Sequence, residues 1–468
     1  MSMQASSLSA QALRRLPLAA LLSLAFAGAS QAQSLQDIYD MARSYDAAYQ
    51  SAKAQYDANL AKADQGKAAL LPTVGFSAGA TRSGRMQVPH VFADPVAKTT
   101  ESNYSYTTQT AGVNATQPLY RPANLATYRQ SQKGLELAEA ALSQADQDLI
   151  VRVSQAYFDV LSSQDSLAFV QAQKAAVAEQ LASAKRNFEV GTATITDTRE
   201  AQARFDLVTA QEIAADNDLR VKKVALELLV GKSGLVPQPL KAGASLPAVD
   251  GQGVDAWIGQ SEQTHPAIQL ARANLDVAKL ETEKATAGHK PTVDLTLGYN
   301  AQKNINGTSV SAIPTSTTYP NGTNQINVAS LGVAVNLPLF AGLATQNRIK
   351  ETTALEEKAR MDLEGAQRQV AQATRTAYLG LQSGLGQVKA YEAAEASSQV
   401  ALDANKLGYQ VGVRINIDVL NSQSQLYQTK RDLAKARYDV LIGQLKLRQA
   451  AGVLKADDLQ LVNRLLAP

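Results

Sequence analysis

The chain carries the same series of sequence landmarks twice, and this repeat restricts its fold more than any other feature. The landmarks that recur after 221 residues are Tyr157 with Tyr378, Gly191 with Gly412, Asp197 with Asp418, Gln202 with Gln423 and Gly231 with Gly452. Chance agreement at so many spaced points in one order is implausible, so the chain is a duplication with an internal two-fold repeat. The copies are predicted to cover residues 33–246 and 247–456, followed by a C-terminal tail at 457–468.

Each copy changes its hydrophobic period in the same order, which predicts a helix, a β-hairpin, a long helix and a further helix. The predicted ranges are 34–70, hairpin 73–118, 123–189 and 197–230 in the first copy, and 255–287, hairpin 292–338, 343–409 and 418–450 in the second copy. The hairpins alternate apolar and polar or small residues, as in Thr73, Val74, Gly75, Phe76 and Ser77. The fold class is therefore mainly α with β.

The predicted helix lengths match one another. At about 1.5 Å per residue, helix 123–189 spans about 100 Å, while 34–70 and 197–230 each span about 50–55 Å. One long helix equals two short helices placed end to end. This predicts a rod about 100 Å tall, with the strands at one end and the turns at Gly191 and Gly412 at the other. Aromatic residues make up only 5% of the chain, which favours coiled-coil packing through small side chains.

The first 32 residues have the pattern of a secretory signal peptide. Arg14 and Arg15 precede an apolar run from Leu16 to Ala29, and Ser30-Gln31-Ala32 supplies small residues for cleavage. A membrane-spanning helix needs about 20 apolar residues, and this run is shorter. We therefore expect a mature chain that starts at Gln33 and is exported from the cytoplasm.

Composition excludes several classes of site. The chain has no cysteine, which rules out disulfides, thiolate nucleophiles and lipidation of a cysteine after the signal. His90, His265 and His289 are too far apart in sequence for a metal-ligand spacing, and prolines follow the last two closely, as at element boundaries. With a net charge of +3 and no basic stripe, no nucleic-acid partner is expected. No catalytic, cofactor-binding or metal-binding residue is predicted, and the chain is not expected to be an enzyme.

The two predicted hairpins supply four strands with one apolar face. Four strands cannot close a barrel, and an open sheet edge in lipid leaves unpaired backbone groups that cost several kcal/mol each. The strands are long enough to cross a membrane, which takes about 9–11 tilted residues. Several chains are therefore expected to share one barrel, of about 8 strands for two chains or about 12 for three. The hairpin loops 87–103 and 304–325 should face the external medium.

Several motifs resemble the TolC-type family of outer-membrane efflux and type I secretion channels. They are Leu70-Leu71-Pro72, Lys290-Pro291-Thr292, the segment 338–342 and, above all, the segment 409–421. The resemblance covers essentially the whole mature chain. It implies a homotrimer with a long-helix α-barrel and a shared 12-strand transmembrane β-barrel, in contact with outer-membrane lipid and with its helical part in the periplasm.

The same resemblance implies export of small molecules, proteins or both from an inner-membrane transporter through a periplasmic adaptor (membrane fusion) protein, without a cofactor. Two other interpretations stay open. A secreted coiled-coil structural or adhesin-like protein without a channel accounts for the helices but not for two lipid-compatible hairpins. A periplasmic adaptor accounts for helical hairpins but not for a duplication of the full length.

The resemblance also implies a gate where the helices end, with Gly191 and Gly412 at the tips of the turns. The gate and constriction residues that match are Thr196, Asp197, Tyr409, Arg414, Asp418 and Asn421. An arginine and a tyrosine that bind the same acid would link adjacent helices. The alternative is that Asp197 and Asp418 are helix N-caps. The chain departs from the family at Asn421, where a second ring aspartate would stand, so a trimer would carry three ring charges instead of six.

Overall fold

The computed structural model describes residues 32–87, 102–241, 243–246, 253–305 and 323–467. Residues 1–31 of the predicted signal peptide and the greater part of the predicted loops 87–103 and 304–325 lie outside the described residues.

Helices account for the greater part of the described chain, and four strands form its sheet. The helices are α1 (Leu35–Tyr45), α2 (Ala47–Ala68), α3 (Pro122–Glu189), α4 (Ile195–Val230), α5 (Val254–Thr264), α6 (Pro266–Thr286), α7 (Ala344–Gln410), α8 (Asn416–Ala450) and α9 (Asp458–Asn463). The strands are β1 (Thr73–Gln87), β2 (Ser102–Tyr120), β3 (Thr292–Ile305) and β4 (Asn324–Asn336). The mainly α fold, with two hairpins and two very long helices, is as predicted.

The two predicted short helices at 34–70 and 255–287 are wrong as single helices, because each is broken near its start. The first breaks at Asp46, whose backbone is not helical, with φ −57° and ψ 117°. Its carboxylate accepts the backbone N–H of Tyr49 at 2.8 Å and both guanidinium N–H groups of Arg152 at 2.9 and 3.0 Å. Asp46 therefore caps α2 and anchors the break to α3.

The second break lies at His265, with φ −67° and ψ 125°. Pro266 opens α6, and a proline disfavours helical backbone in the residue before it. The expectation that His265 marks an element boundary is therefore confirmed. His289 likewise ends the short 3₁₀ turn Ala287–His289 that precedes β3.

Two glycines at repeat-equivalent positions lie against these two breaks. Gly231 and Gly452 both have φ +70°, in the left-handed region that favours glycine. A methyl group at Gly231 would collide with the Tyr45 ring, and one at Gly452 would collide with the His265 backbone. The two copies are thus built in the same way. The glycine that follows each helix has no side chain, and this leaves space for the residues at the break in the short helix.

The chain divides into two compact units, each taken here by itself. One consists of Leu142–Ile268 and Gln367–Pro468 with the chain up to Lys53, and the other of Ala54–Ala141 and Gln269–Ala366. The second unit contains the sheet, which is antiparallel throughout with the order β1-β2-β3-β4. Phe76 pairs with Val113, which pairs with Tyr299, so apolar side chains line one face. That face is exposed in the single chain, as Val74, Phe76 and Leu331 illustrate.

In the first unit, side-chain contacts join α4 to α3, α3 to α8 and α8 to α7, and α4 also contacts α8 near the turns. Lys174 on α3 binds Glu212 on α4 at 2.6 Å. The Tyr438 hydroxyl on α8 donates to Asp165 on α3 at 2.7 Å. Arg437 on α8 binds Glu392 on α7 at 2.8 Å. The largest buried cluster of this unit packs α1, α3, α4, α8 and the C-terminal segment together, and it contains Tyr39, Tyr157 and Phe158.

Among the described residues, no helix combines the length and the apolar character that a membrane-spanning helix requires.

Asp165 on α3 binds Tyr438 on α8, and its carboxyl makes the free energy of unfolding depend on pH. Burial raises its pKa above the ordinary value, and the hydrogen bond from Tyr438 only opposes this shift. The folded state therefore binds the proton more tightly than the unfolded chain. The stabilising contribution is complete below the unfolded pKa of about 3.9 and is lost as the pH rises through the folded pKa.

We predict that Asp165→Asn raises the unfolding temperature near pH 7 and leaves it unchanged near pH 3, because an amide has no charge to desolvate. Thermal unfolding of the purified protein in detergent, followed by circular dichroism, measures both values. Asp439→Asn on the exposed side of α8 is the matched control. It loses only a surface pair with Lys435, worth about 0.3–0.5 kcal/mol. Equal shifts for Asp165→Asn at both pH values would contradict the prediction.

Candidate functional site

The two long helices end in turns of the same geometry. Gly191 after α3 has φ +79°, and Gly412 after α7 has φ +80°. The N–H of Thr192 donates to the Asn187 carbonyl at 2.8 Å, and the N–H of Val413 donates to the Gly408 carbonyl at 2.9 Å. This six-residue hydrogen bond around a left-handed glycine is a Schellman motif. It reverses the chain into α4 in the first copy and into α8 in the second.

The two repeat-equivalent aspartates after these turns have different roles. Thr194 is the N-cap of α4, and its hydroxyl accepts the Asp197 N–H at 3.2 Å while Asp197 accepts the Thr194 N–H at 3.0 Å. Asp197 is therefore the third residue of a capping box and not the N-cap itself. In the second copy the N-cap is Ile415, which offers no side-chain cap. The hypothesis that Asp418 is an N-cap is therefore wrong, since it follows that cap by three residues.

Arg414 and Tyr409 have different partners within one chain. Arg414 lies 3.7 Å from the Asp418 carboxylate, and the two residues form a partly exposed ion pair four positions apart. Its side chain passes over Gly408, where a methyl group would collide with it. The hydroxyl of Tyr409 accepts a hydrogen bond from the Asn187 amide at 3.4 Å. Tyr409 therefore links the end of α7 to the end of α3, while Arg414 stays within its own copy.

Asn416 is a residue of this site that the sequence analysis missed. It is fully buried, and its amide donates to the Asp197 carbonyl at 3.3 Å. Its carbonyl oxygen accepts from the Gln180 amide. One side chain thus joins the starts of α4 and α8 to α3. The only signal in the sequence is a polar residue between Ile415 and Ile417 at the start of a helix, and this pattern is common.

The remaining predicted residues lie nearby but do not join one cluster. Asn421 accepts a hydrogen bond from the Arg204 guanidinium on α4 at 2.7 Å. Thr196 is exposed at the start of α4. A polar groove of about 680 Å³ separates the two turns, and four predicted residues line it: Asp197, Tyr409, Gly412 and Arg414. Asn187, Gln180 and Asn416 line it as well. These amides, hydroxyls and charges suit reversible hydrogen bonding between helix ends.

The fold and this site define a class of protein: a duplicated chain of long helices with an exposed apolar sheet and paired helix turns. A family model described as outer membrane efflux protein matches residues 38–232 and 257–453. The chain therefore belongs to the outer membrane efflux protein family.

Individual relatives agree with this assignment. The chain is 33% identical over 434 residues to the outer membrane protein TolC of Vibrio cholerae. This alignment covers 92% of this chain and 93% of the relative. It is 30% identical to the alkaline protease secretion protein AprF of Pseudomonas aeruginosa, over 92% of this chain and 87% of the relative. The solved structure of CusC aligns with a TM-score of 0.75 at 16% identity, covering 90% of this chain and 92% of CusC.

The chain is thus an outer-membrane export channel whose helical part lies in the periplasm, as the sequence predicted. The alternatives of a coiled-coil adhesin or a periplasmic adaptor do not fit a family match that covers both copies.

We predict that Asn416→Ala loosens the paired turns without unfolding the helices. The change leaves the half-buried Gln180 amide and Asp197 carbonyl without their partner, which costs at most about 1–3 kcal/mol. Hydrogen exchange should accelerate at the amides of 187–197 and 409–418 and stay unchanged in α3 near Phe158. Gln410→Ala is the matched control, because Gln410 lines the groove but is exposed. Unchanged exchange at both turns would show that Asn416 does not hold them.

Proposed function

We propose that the channel is a homotrimer in which β1 of one copy pairs with β4 of the next, so that three sheets form one 12-strand β-barrel. The observation that carries this proposal is the pair of open sheet edges. Among the described residues, β1 pairs only with β2, and β4 only with β3. The edges are 15 and 13 residues long, and in lipid each unpaired backbone group costs several kcal/mol. Closing the barrel satisfies both edges.

The number of copies follows from the family resemblance. Two copies would give about 8 strands and three would give about 12, and both are within the range of outer-membrane barrels. The TolC-type resemblance favours three. The apolar face that includes Val74, Phe76 and Leu331 would then contact outer-membrane lipid.

The proposed channel receives its cargo from an inner-membrane transporter through a periplasmic adaptor protein. Support comes from two relatives named for protease secretion. One is the alkaline protease secretion protein AprF, and the other is the proteases secretion protein PrtF of Dickeya chrysanthemi, which is 28% identical to this chain. The family model itself is described as outer membrane efflux protein. The cargo is therefore a secreted protein, a small molecule or both. The chain acts as a conduit and not as an enzyme, and the transporter supplies the energy.

The turns at Gly191 and Gly412 form the periplasmic entrance in this proposal, and the predicted gate residues hold it closed. Thr196 and Asp197 begin α4 in copy one, and Tyr409 and Arg414 flank the equivalent turn in copy two. Asp418 would lie on the constriction ring, with Asn421 where a second ring aspartate would stand. The links described above are weak: Arg414 and Asp418 are partly exposed at 3.7 Å, and such surface pairs are worth about 0–1 kcal/mol. Weak links of this kind can break while α3 and α7 stay folded.

The assembly is tested by native mass measurement of the detergent-extracted protein. We expect one species of three chains, because the two sheet edges need partners. Before extraction, the protein should be found in the outer-membrane fraction. A stable, folded monomer in the same detergent would contradict the proposal.

The gate is tested by the double variant Tyr409→Phe with Arg414→Ser. It removes the hydroxyl that binds Asn187 and the guanidinium that binds Asp418, so single-channel conductance in planar bilayers should rise. The trimer should dissociate at nearly the same temperature as the wild type. Gln410→Ala is the control for a neighbouring polar loss and should keep the wild-type conductance. Wild-type conductance of the double variant in an intact trimer would remove these two residues from the gate.

A further inference from the structure

Gln33, the first residue of the predicted mature chain, is held in the fold of the first unit. It pairs in parallel with Pro237, in the segment that follows α4. Its backbone N–H donates to the Val236 carbonyl at 2.8 Å, and its carbonyl accepts the Gln238 N–H at 3.1 Å. The Tyr157 hydroxyl donates to the same Gln33 carbonyl at 3.2 Å. The backbone nitrogen of Gln33 therefore has a fixed position and does not lie at a loose end.

The side chain of Gln33 binds the same residue as its backbone nitrogen does. Its Oε1 atom accepts the Val236 N–H at 2.8 Å, while the Val236 carbonyl accepts the Gln33 N–H at 2.8 Å. Because both partners belong to one residue, the nitrogen and the side-chain carbonyl of Gln33 lie side by side. The side chain is thus folded back toward its own nitrogen. In this arrangement the nitrogen can reach the side-chain carbon Cδ and close a five-membered ring.

Removal of the predicted signal peptide would turn this nitrogen into a nucleophile. An outer-membrane protein first crosses the inner membrane, and the signal pattern predicts cleavage between Ala32 and Gln33. Before cleavage the Gln33 nitrogen is a peptide amide, whose lone pair is delocalised. After cleavage it is a primary amine. An α-amino group has a pKa of about 7.7–8, so part of it is neutral and nucleophilic at pH 7.

We propose that Gln33 is a modification site, at which the new N-terminal amine closes on its own side chain to form pyroglutamate. The nitrogen attacks Cδ and forms the lactam C–N bond, and the bond between Cδ and Nε2 breaks. One proton passes from the attacking to the leaving nitrogen, so ammonia is released and nothing is oxidised or reduced. The Val236 N–H stabilises the negative charge that develops on Oε1 during the attack. This inference goes beyond the proposed function and does not depend on the number of copies.

The product keeps both contacts with Val236. The lactam N–H still donates to the Val236 carbonyl, and the lactam oxygen, formerly Oε1, still accepts the Val236 N–H. The Gln33 carbonyl keeps its bonds from Gln238 and Tyr157. Cleavage itself removes one contact, because the Gln238 side-chain amide donates to the Ala32 carbonyl at 3.1 Å. The fold therefore accepts the lactam in the place where it holds the glutamine.

Intact-mass measurement of the protein purified from outer membranes tests the modification. The wild-type chain should be lighter than residues 33–468 of the sequence by one ammonia. Its N-terminal tryptic peptide, Gln33–Arg43, contains no lysine, so an amine reagent applied before digestion should leave this peptide unlabelled. Gln33→Asn is the matched control, because its shorter side chain could close only a strained four-membered ring. This variant should keep its full mass and a reactive amine.

Two results would overturn the modification: a wild-type chain that starts at Gln33 with its full mass, or a chain that starts at another residue. Either result leaves the trimer and the export role as they are, since native mass and conductance test those separately.

The contribution of Val236 is tested by Val236→Pro, which removes the N–H that binds Oε1. Val236→Ala is the matched control, because it keeps that N–H and the Val236 side chain is 41% exposed. Sampled soon after synthesis, Val236→Pro should retain ammonia in a larger fraction of chains than Val236→Ala. Equal fractions in the two variants would overturn the role of this N–H.

A synthetic peptide of residues 33–43 gives the same comparison if Val236→Pro fails to fold. The peptide has no Val236 to bind, so in buffer and in periplasmic extract it should close more slowly than the N-terminus of the folded protein. Closure of the peptide as fast as that of the protein would show that the fold does not promote the reaction.

Discussion

The backbone hydrogen bonds of the two edge strands are the constraint on which the other parts of this molecule depend. Strands β1 and β4 end the sheet, and each offers a row of donors and acceptors that water can satisfy but lipid cannot. A sheet with an exposed apolar face and two such edges is incomplete as a single chain.

The sequence predicted those parts of the fold that depend on periodicity and on prolines. Helix α3 (Pro122–Glu189) contains no internal proline and was predicted within one residue at its start. The break at His265 was signalled by Pro266. The break at Asp46 was not, because its cause is a side chain that prefers the Tyr49 N–H and the Arg152 guanidinium to a helical position. Arg152 is more than a hundred residues away, so no local pattern reveals this contact.

The candidate site shows the same limit. Gly191 and Gly412 were found because a left-handed turn needs glycine, and this signal is local. Asn416 was missed because its role depends on Gln180 and Asp197, which come from two other helices. The difference between Asp197 and Asp418 depends on a single residue three positions earlier. Where copy one has Thr194, its hydroxyl completes a capping box, and where copy two has Ile415, the carboxylate of Asp418 is left to Arg414.

The two copies also differ in the contact between their helices, which is the α3–α4 contact in copy one and the α7–α8 contact in copy two. In copy one, Lys222 binds Asp159 at 3.3 Å and Ser163 donates to Asp218 at 2.6 Å across the contact of α3 with α4. In copy two, the counterparts of Asp159, Ser163 and Lys222 are Gly380, Gly384 and Gly443. These glycines line a groove of about 690 Å³ between α7 and α8.

Next to that groove, Leu381 on α7 and Val440 on α8 are buried in the contact between these two helices. A methyl group at Gly384 would lie 3.2 Å from a methyl group of Val440, so the two helices approach each other closely at this point. Charges that salt can screen contribute to both contacts, because Arg437 on α8 also binds Glu392 on α7. At Gly380, Gly384 and Gly443 copy two therefore lacks the side chains that make polar contacts in copy one, and buried apolar residues such as Leu381 and Val440 hold α7 and α8 together there.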